Sequence, residues 1–176
     1  MKVIAKEDFV NEYYLSGADE VCISSQDLLE LLTSVLKKQA SFRFKAKGWS
    51  MSPFIRDGDV ITISHYPESV IGIGKPVAFV CSETRKLKVH RIIGRNNSRY
   101  LIKGDRLFNP DGLMPRENIL GIVTKIERGG KSIIFGLGPE RYMIAFLSRA
   151  RVIFLILSVW KHIKIKMRCC ACKSTT

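Results

Sequence analysis

From residue 41 onward, apolar and polar residues alternate with a period of two, and turn signals recur between the alternating runs. A period of two places successive side chains on opposite faces of a strand, so this stretch predicts short half-buried strands rather than helices. The runs fall at 41–47, 59–64, 76–81, 86–94, 98–104 and 119–127, with a last one near 131–135. Between them lie Asp57-Gly58, Tyr66-Pro67, Gly74-Lys75-Pro76, Asn96-Asn97, Asp111-Gly112 and Gly129-Gly130, residue types that close turns. Many short strands with few helices predict a compact, mainly β body.

One segment before that body breaks the pattern. Leu28, Leu29, Leu31, Leu32, Val35 and Leu36 recur at helical spacing behind Ser24 and Ser25, which suit an N-cap. Asp27 and Glu30 near the start and Lys37 and Lys38 near the end complement the helix dipole. An amphipathic helix over about 25–39, packed on its own sheet, is expected. Residues 1–23 show no clear period beyond a turn signal at Ser16-Gly17.

With 176 residues, 46% of them hydrophobic, the chain can bury one core of ordinary size. The expected organisation is an N-terminal segment with the helix (1–40), a β domain (41–137) and an apolar, basic C-terminal segment (138–176). The first ten residues carry four charges and no apolar run, unlike a secretory signal or anchor. Five cysteines, an odd number, suggest no disulfide framework and a reducing compartment.

Charge is uneven. Residues 141–176 hold eight Lys or Arg and no acid, out of a net +13, so this end should favour an anionic surface. Residues 142–160 are strongly apolar but interrupted by Arg149 and Arg151. The uninterrupted run 152–160 would span roughly 13 Å as a helix, against about 30 Å of bilayer core. Two central arginines cost about 5–7 kcal/mol of insertion free energy. The segment therefore reads as a helix lying in a membrane interface, anchored by Trp160 and the K-H-I-K-I-K-M-R run. Packing on the β body is the second reading and a spanning helix the third. Cys169, Cys170 and Cys172 cluster in the tail. Three thiolates fall short of a closed zinc site, so no metal or cofactor is expected.

The run K-G-W-S-M-S-P-F-I-R-D-G-D-V-I, residues 47–61, leaves one strand and enters another. Gly48 permits a backbone angle closed to other residues, and Pro53 keeps its predecessor out of helix. Ser50 is thus presented on a non-helical turn, where a nearby base would make it a nucleophile. The turn by itself leaves a plain loop serine as the simpler reading.

The string G-W-S-M-x-P-x-I-x-x-G-D resembles the nucleophile box of the superfamily of signal peptidase I and the SOS-repressor peptidases, the S24–S26 serine peptidases. K-V-H-R-I-I-G (88–94) and K-G-D-R-L-F-N-P-D-G (103–112) resemble its second and third boxes, in the same order and at similar spacing. The resemblance covers roughly 41–127. It implies a coiled antiparallel β fold and a serine endopeptidase in which Ser50, ahead of Met51, attacks a peptide carbonyl. The housekeeping bacterial enzymes and the repressors use a lysine at the second box. Here His90 stands there, as in the endoplasmic-reticulum, archaeal and spore-former types. A histidine titrates near neutrality without the desolvation a lysine needs, and it needs a carboxylate to orient it. The resemblance assigns that part to Asp111, with Asp105 shaping the loop. Lys88, two residues from His90 and on the same strand face, is the fallback base. His65 and His162 read as ordinary residues. The Ser50 N–H is the expected oxyanion donor. Gly48 stands where signal peptidases often carry a hydroxyl, which leaves that half of the oxyanion hole open. Asp57 and Asp59 read as turn formers.

The function expected is cleavage of a leader or signal peptide by a Ser-His-Asp peptidase, with a peptide or protein substrate and an anionic membrane surface as partners. A basic C-terminal segment kept on the cytoplasmic side would keep the active site there too, as a peripheral membrane protein. Two other classes remain. A self-cleaving DNA-binding regulator would suit the charge, but one helix before Ser50 is too little for a helix-turn-helix module, and no Ala-Gly bond lies upstream. Nucleic acid is accordingly disfavoured as a partner. An idle peptide-binding β module is the third reading.

Overall fold

The computed structural model describes residues 2–5, 12–16 and 21–152, and the side chains of residues 26–152 other than Glu68. The expectations for the 152–160 run beyond its first residue, Trp160, His162 and the tail cysteines lie outside the described residues.

The chain is mainly antiparallel β sheet with one helix near each end. Among the described residues the strands are β1 (Lys2–Ala5), β2 (Glu12–Ser16), β3 (Val21–Ser24), β4 (Phe42–Lys45), β5 (Val60–Ser64), β6 (Pro76–Val80), β7 (Leu87–Asn96), β8 (Arg99–Lys103), β9 (Gly112–Pro115), β10 (Ile119–Arg128) and β11 (Lys131–Ile133). Among the described residues the α-helices are α1 (Ser25–Lys37) and α2 (Arg141–Arg149). The strands join in one sheet in the order β3-β2-β1-β4-β5-β10-β6-β7-β8-β9, with β11 on β10. All pairs are antiparallel except β1 with β4.

α1 buries Leu28, Leu32 and Leu36, one stripe at i, i+4, i+8, against Phe42, Phe44, Ile61, Ile63 and Ile126. Met51 and Ile55 enter the same core and fasten the turn that carries Ser50. A second core gathers Val77, Phe79, Ile92, Tyr100, Ile102 and Ile122 around β6, β7 and β8. β7 is buried on both faces from His90 to Gly94 because α2 packs over it.

Two expectations need correction, and one stretch without a reading gains one. The N-terminal stretch without a clear period supplies β1, β2 and β3. β9 lies where only a turn was expected. The apolar C-terminal segment is not one helix from 142: α2 ends at Arg149, and Arg151 takes a left-handed φ of 63°. α2 packs on the β body through Ile144, Ala145 and Ser148. Among the described residues no helix is long and apolar enough to cross a membrane.

Candidate active site

The turn between β4 and β5 is built from its own backbone. Gly48 has φ 101°, and its N–H donates to Asp57 Oδ1 at 2.8 Å. The Ser52 and Phe54 N–H groups donate to the Trp49 and Met51 carbonyls, and the Ser52–Pro53 peptide is cis. Asp59 closes the second half: it is buried, accepts the Arg56 N–H at 2.7 Å, and holds Arg128 through both oxygens at 2.8 and 2.7 Å. With Met51 sunk in the α1 core, Ser50 is held from both sides.

On β7 the alternation of side chains decides what meets Ser50. Lys88 and His90 share one face and Arg91 points to the other. His90 is 2% exposed, packed 5.9 Å from the Phe79 ring centroid. Its Nε2 lies 2.9 Å from Ser50 Oγ and its Nδ1 2.6 Å from Asp111 Oδ2. A carboxylate can only accept, so Nδ1 carries the proton, and Nε2 is left to accept from the Ser50 hydroxyl. Asp111 stands just before β9, its N–H donating to the Ile102 carbonyl at 2.9 Å. Burial pushes its carboxyl up, but the bonds and charges of His90 and then Lys88 outweigh burial and hold it below its ordinary value.

The two carboxylates of the third box are thus divided between the two faces of β7. Asp111 serves His90. Asp105, fully buried, takes Arg91: Nε donates to Oδ1 at 2.9 Å and Nη2 to Oδ2 at 2.8 Å. Arg91 Nη1 also donates to the Gly74 and Gly136 carbonyls at 2.7 and 2.9 Å. Asp105 therefore braces the loop and does not touch His90's ring. Lys88, the fallback base of the sequence reading, donates to Asp111 Oδ1 at 3.0 Å. His65 is exposed on the surface.

Sequence reasoning passed over Gly104 and Arg91. The segment after β8 runs against the nucleophile turn, with the Arg106 N–H donating to the Ser50 carbonyl at 2.8 Å. A methyl group on Gly104 would sit 2.9 Å from that carbonyl oxygen and 2.9 Å from Leu107 Cδ1. Only a residue without Cβ admits this approach. Arg91 had a signal: an arginine inside an apolar strand demands a buried acceptor. Among the described residues no cluster of three His, Cys, Asp or Glu could hold a metal ion.

The arrangement is a hydroxyl, an imidazole and a carboxylate in one hydrogen-bonded line, brought from positions 50, 90 and 111 by three separate parts of one sheet. The model of the Peptidase S24-like family matches residues 14–124, more than half of the chain and all three positions. No curated protein matches the chain.

Proposed function

The chain belongs to the Peptidase S24-like family, and from that premise we propose that it is a serine endopeptidase in which Ser50 is the nucleophile, His90 the general base and Asp111 the group that orients His90. The observation that supports this most is the unbroken line Ser50 Oγ, His90 Nε2, His90 Nδ1, Asp111 Oδ2, at 2.9 and 2.6 Å. Ser50 Oγ attacks the carbonyl carbon of the scissile peptide and its proton passes to Nε2. The negative charge on the carbonyl oxygen is taken by backbone donors, first among them the Ser50 N–H. The Asp111 carboxylate stabilises the imidazolium. As the tetrahedral intermediate collapses, Nε2 returns the proton to the leaving amine, and an acyl group remains on Ser50. Water, deprotonated by the same imidazole, then releases the second product.

For the substrate we propose a leader or signal peptide presented at an anionic membrane surface. Ile134, Phe135, Tyr142, Met143 and Phe146 are each more than half exposed within thirteen residues, an unusual density of bare apolar side chains. The Phe135 ring rests 5.6 Å from that of Phe54, in the nucleophile turn. In the sequence beyond α2 an apolar run and then a basic run follow.

A fluorophosphonate probe tests the chemistry. The wild type should be labelled, and S50A and H90A should not. Labelling that survives S50A rejects the assignment. A self-cleaved fragment appearing without substrate would favour the regulator instead. Sedimentation with vesicles tests the surface: phosphatidylglycerol vesicles should carry the protein down and phosphatidylcholine vesicles should not, with binding weakened by salt and by F135S/F146S. Equal sedimentation with both lipids would reject an anionic surface.

A further inference from the structure

We propose that Lys88 is a positioning residue of this site, fixing the rotation of the Asp111 carboxylate so that Oδ2 stays in line with His90 Nδ1. The inference rests on the peptidase reading only for its consequence on rate; the geometry stands without it. Asp111 closes a loop whose residues 106–110 are all exposed, so its backbone side offers little to hold a side-chain torsion. Its N–H is engaged with the Ile102 carbonyl, which fixes the Cα and not the carboxylate. Both carboxylate oxygens are instead held from β7: Oδ2 by His90 Nδ1 at 2.6 Å, Oδ1 by Lys88 Nζ at 3.0 Å. The χ2 torsion of an aspartate is broad and roughly two-fold. With only one oxygen anchored, the group can swing about that single bond. Two donors spaced two residues apart on one strand face define the plane.

The environment makes the second bond count. The Asp111 side chain is 5% exposed and that of Lys88 28%, so the ammonium head reaches a carboxylate already withdrawn from water, where a charge-assisted bond is stronger than at the surface. The other charged pair near β7, Arg91 with Asp105, faces away and is mutually satisfied. Its removal would act on the fold, whereas removal of Lys88 acts on the alignment of Asp111.

Two readouts test this on the full-length protein. By proton NMR, the His90 Nδ1–H held by a carboxylate should appear well downfield of the amide signals in the wild type. It should be lost or broadened in K88M and restored in K88R. Ser50 acylation by the fluorophosphonate should fall about ten- to a hundredfold in K88M, the cost of a misaligned group, with K88R near wild type. In a D111N background K88M should have no further effect, because its target is gone. Should K88M fold poorly by circular dichroism, K88Q serves in its place. A downfield signal in K88M equal to the wild type overturns the proposal, as does a further loss of acylation on adding K88M to D111N. A wild type that keeps the downfield signal but shows no Ser50-dependent labelling rejects the peptidase reading and leaves the role of Lys88 to be decided by the spectrum.

Discussion

Two aspartates six positions apart in one short box have opposite fates, and the difference is set by which face of β7 each one meets. Asp111 bonds to His90 and Lys88 at the site; Asp105 is locked to Arg91 in the interior. D111N should fold and lose about 10⁴-fold in kcat, since the imidazole is then held in the wrong tautomer; steady-state kinetics beside a circular dichroism spectrum checks both halves. D105A should instead destabilise the fold by about 3–5 kcal/mol, because Arg91 is left buried and unpaired; urea titration measures it. The depressed Asp111 carboxyl also fixes a pH dependence. Its folded value lies below the unfolded value of about 3.9, so its contribution to stability is complete above that pH. That contribution is lost as pH falls through the folded value. The gap in unfolding free energy between wild type and D111N should therefore narrow below about pH 4. Ser50, His90 and both aspartates were visible in the sequence because the three boxes carry them. The partner of Arg91 was not: a buried charge announces that it needs a counter-ion without saying which of two carboxylates will turn towards it.

At the scale of elements, legibility followed burial. The strands β5, β6, β7, β8 and β10 were readable because each has at least one face in a core, so a period of two survives in the sequence. β9 was hidden by its composition, Gly-Leu-Met-Pro, which locally reads as a turn; it is a strand only because β8 offers it an edge. β1 pairs in parallel with β4, Val3 opposite Phe44, a contact between distant parts of the chain that no local pattern encodes. α1 was legible almost to its end, and it stops two residues early because Gln39 takes a left-handed φ of 56°. The same helix yields a prediction. Leu32 is fully buried in the core that also holds Met51 and Ile55. L32A should lower stability by about 2–5 kcal/mol through lost burial and the cavity left behind. E30A, on the exposed face of α1, should change it by less than about 0.5 kcal/mol. Urea unfolding of the two variants tests whether α1 is the plug of the first core; equal effects would contradict it.

For the molecule as a whole, the site has no existence apart from the sheet. Ser50 sits between β4 and β5, His90 within β7, and Asp111 between β8 and β9; β7, β8 and β9 pair in sequence, and in the sheet's strand order they connect to β4 and β5 through β10, which pairs with both β5 and β6. β10 is thus the strand that joins the half of the sheet carrying the hydroxyl to the half carrying the imidazole and carboxylate. The two cores meet at the same strand: Val123 and Ile126 belong to one, Ile119 and Ile122 to the other. A single domain joined this way should unfold in one transition. Fluorophosphonate labelling of Ser50 and far-UV circular dichroism, followed through the same urea series, should then give the same midpoint. I122A, which thins the second core at the joining strand, should move both midpoints down together. If labelling were lost at clearly lower urea than the β signal, the hydroxyl and imidazole would be held by a locally unfolding part of the chain, and β10 would not be what holds the site together.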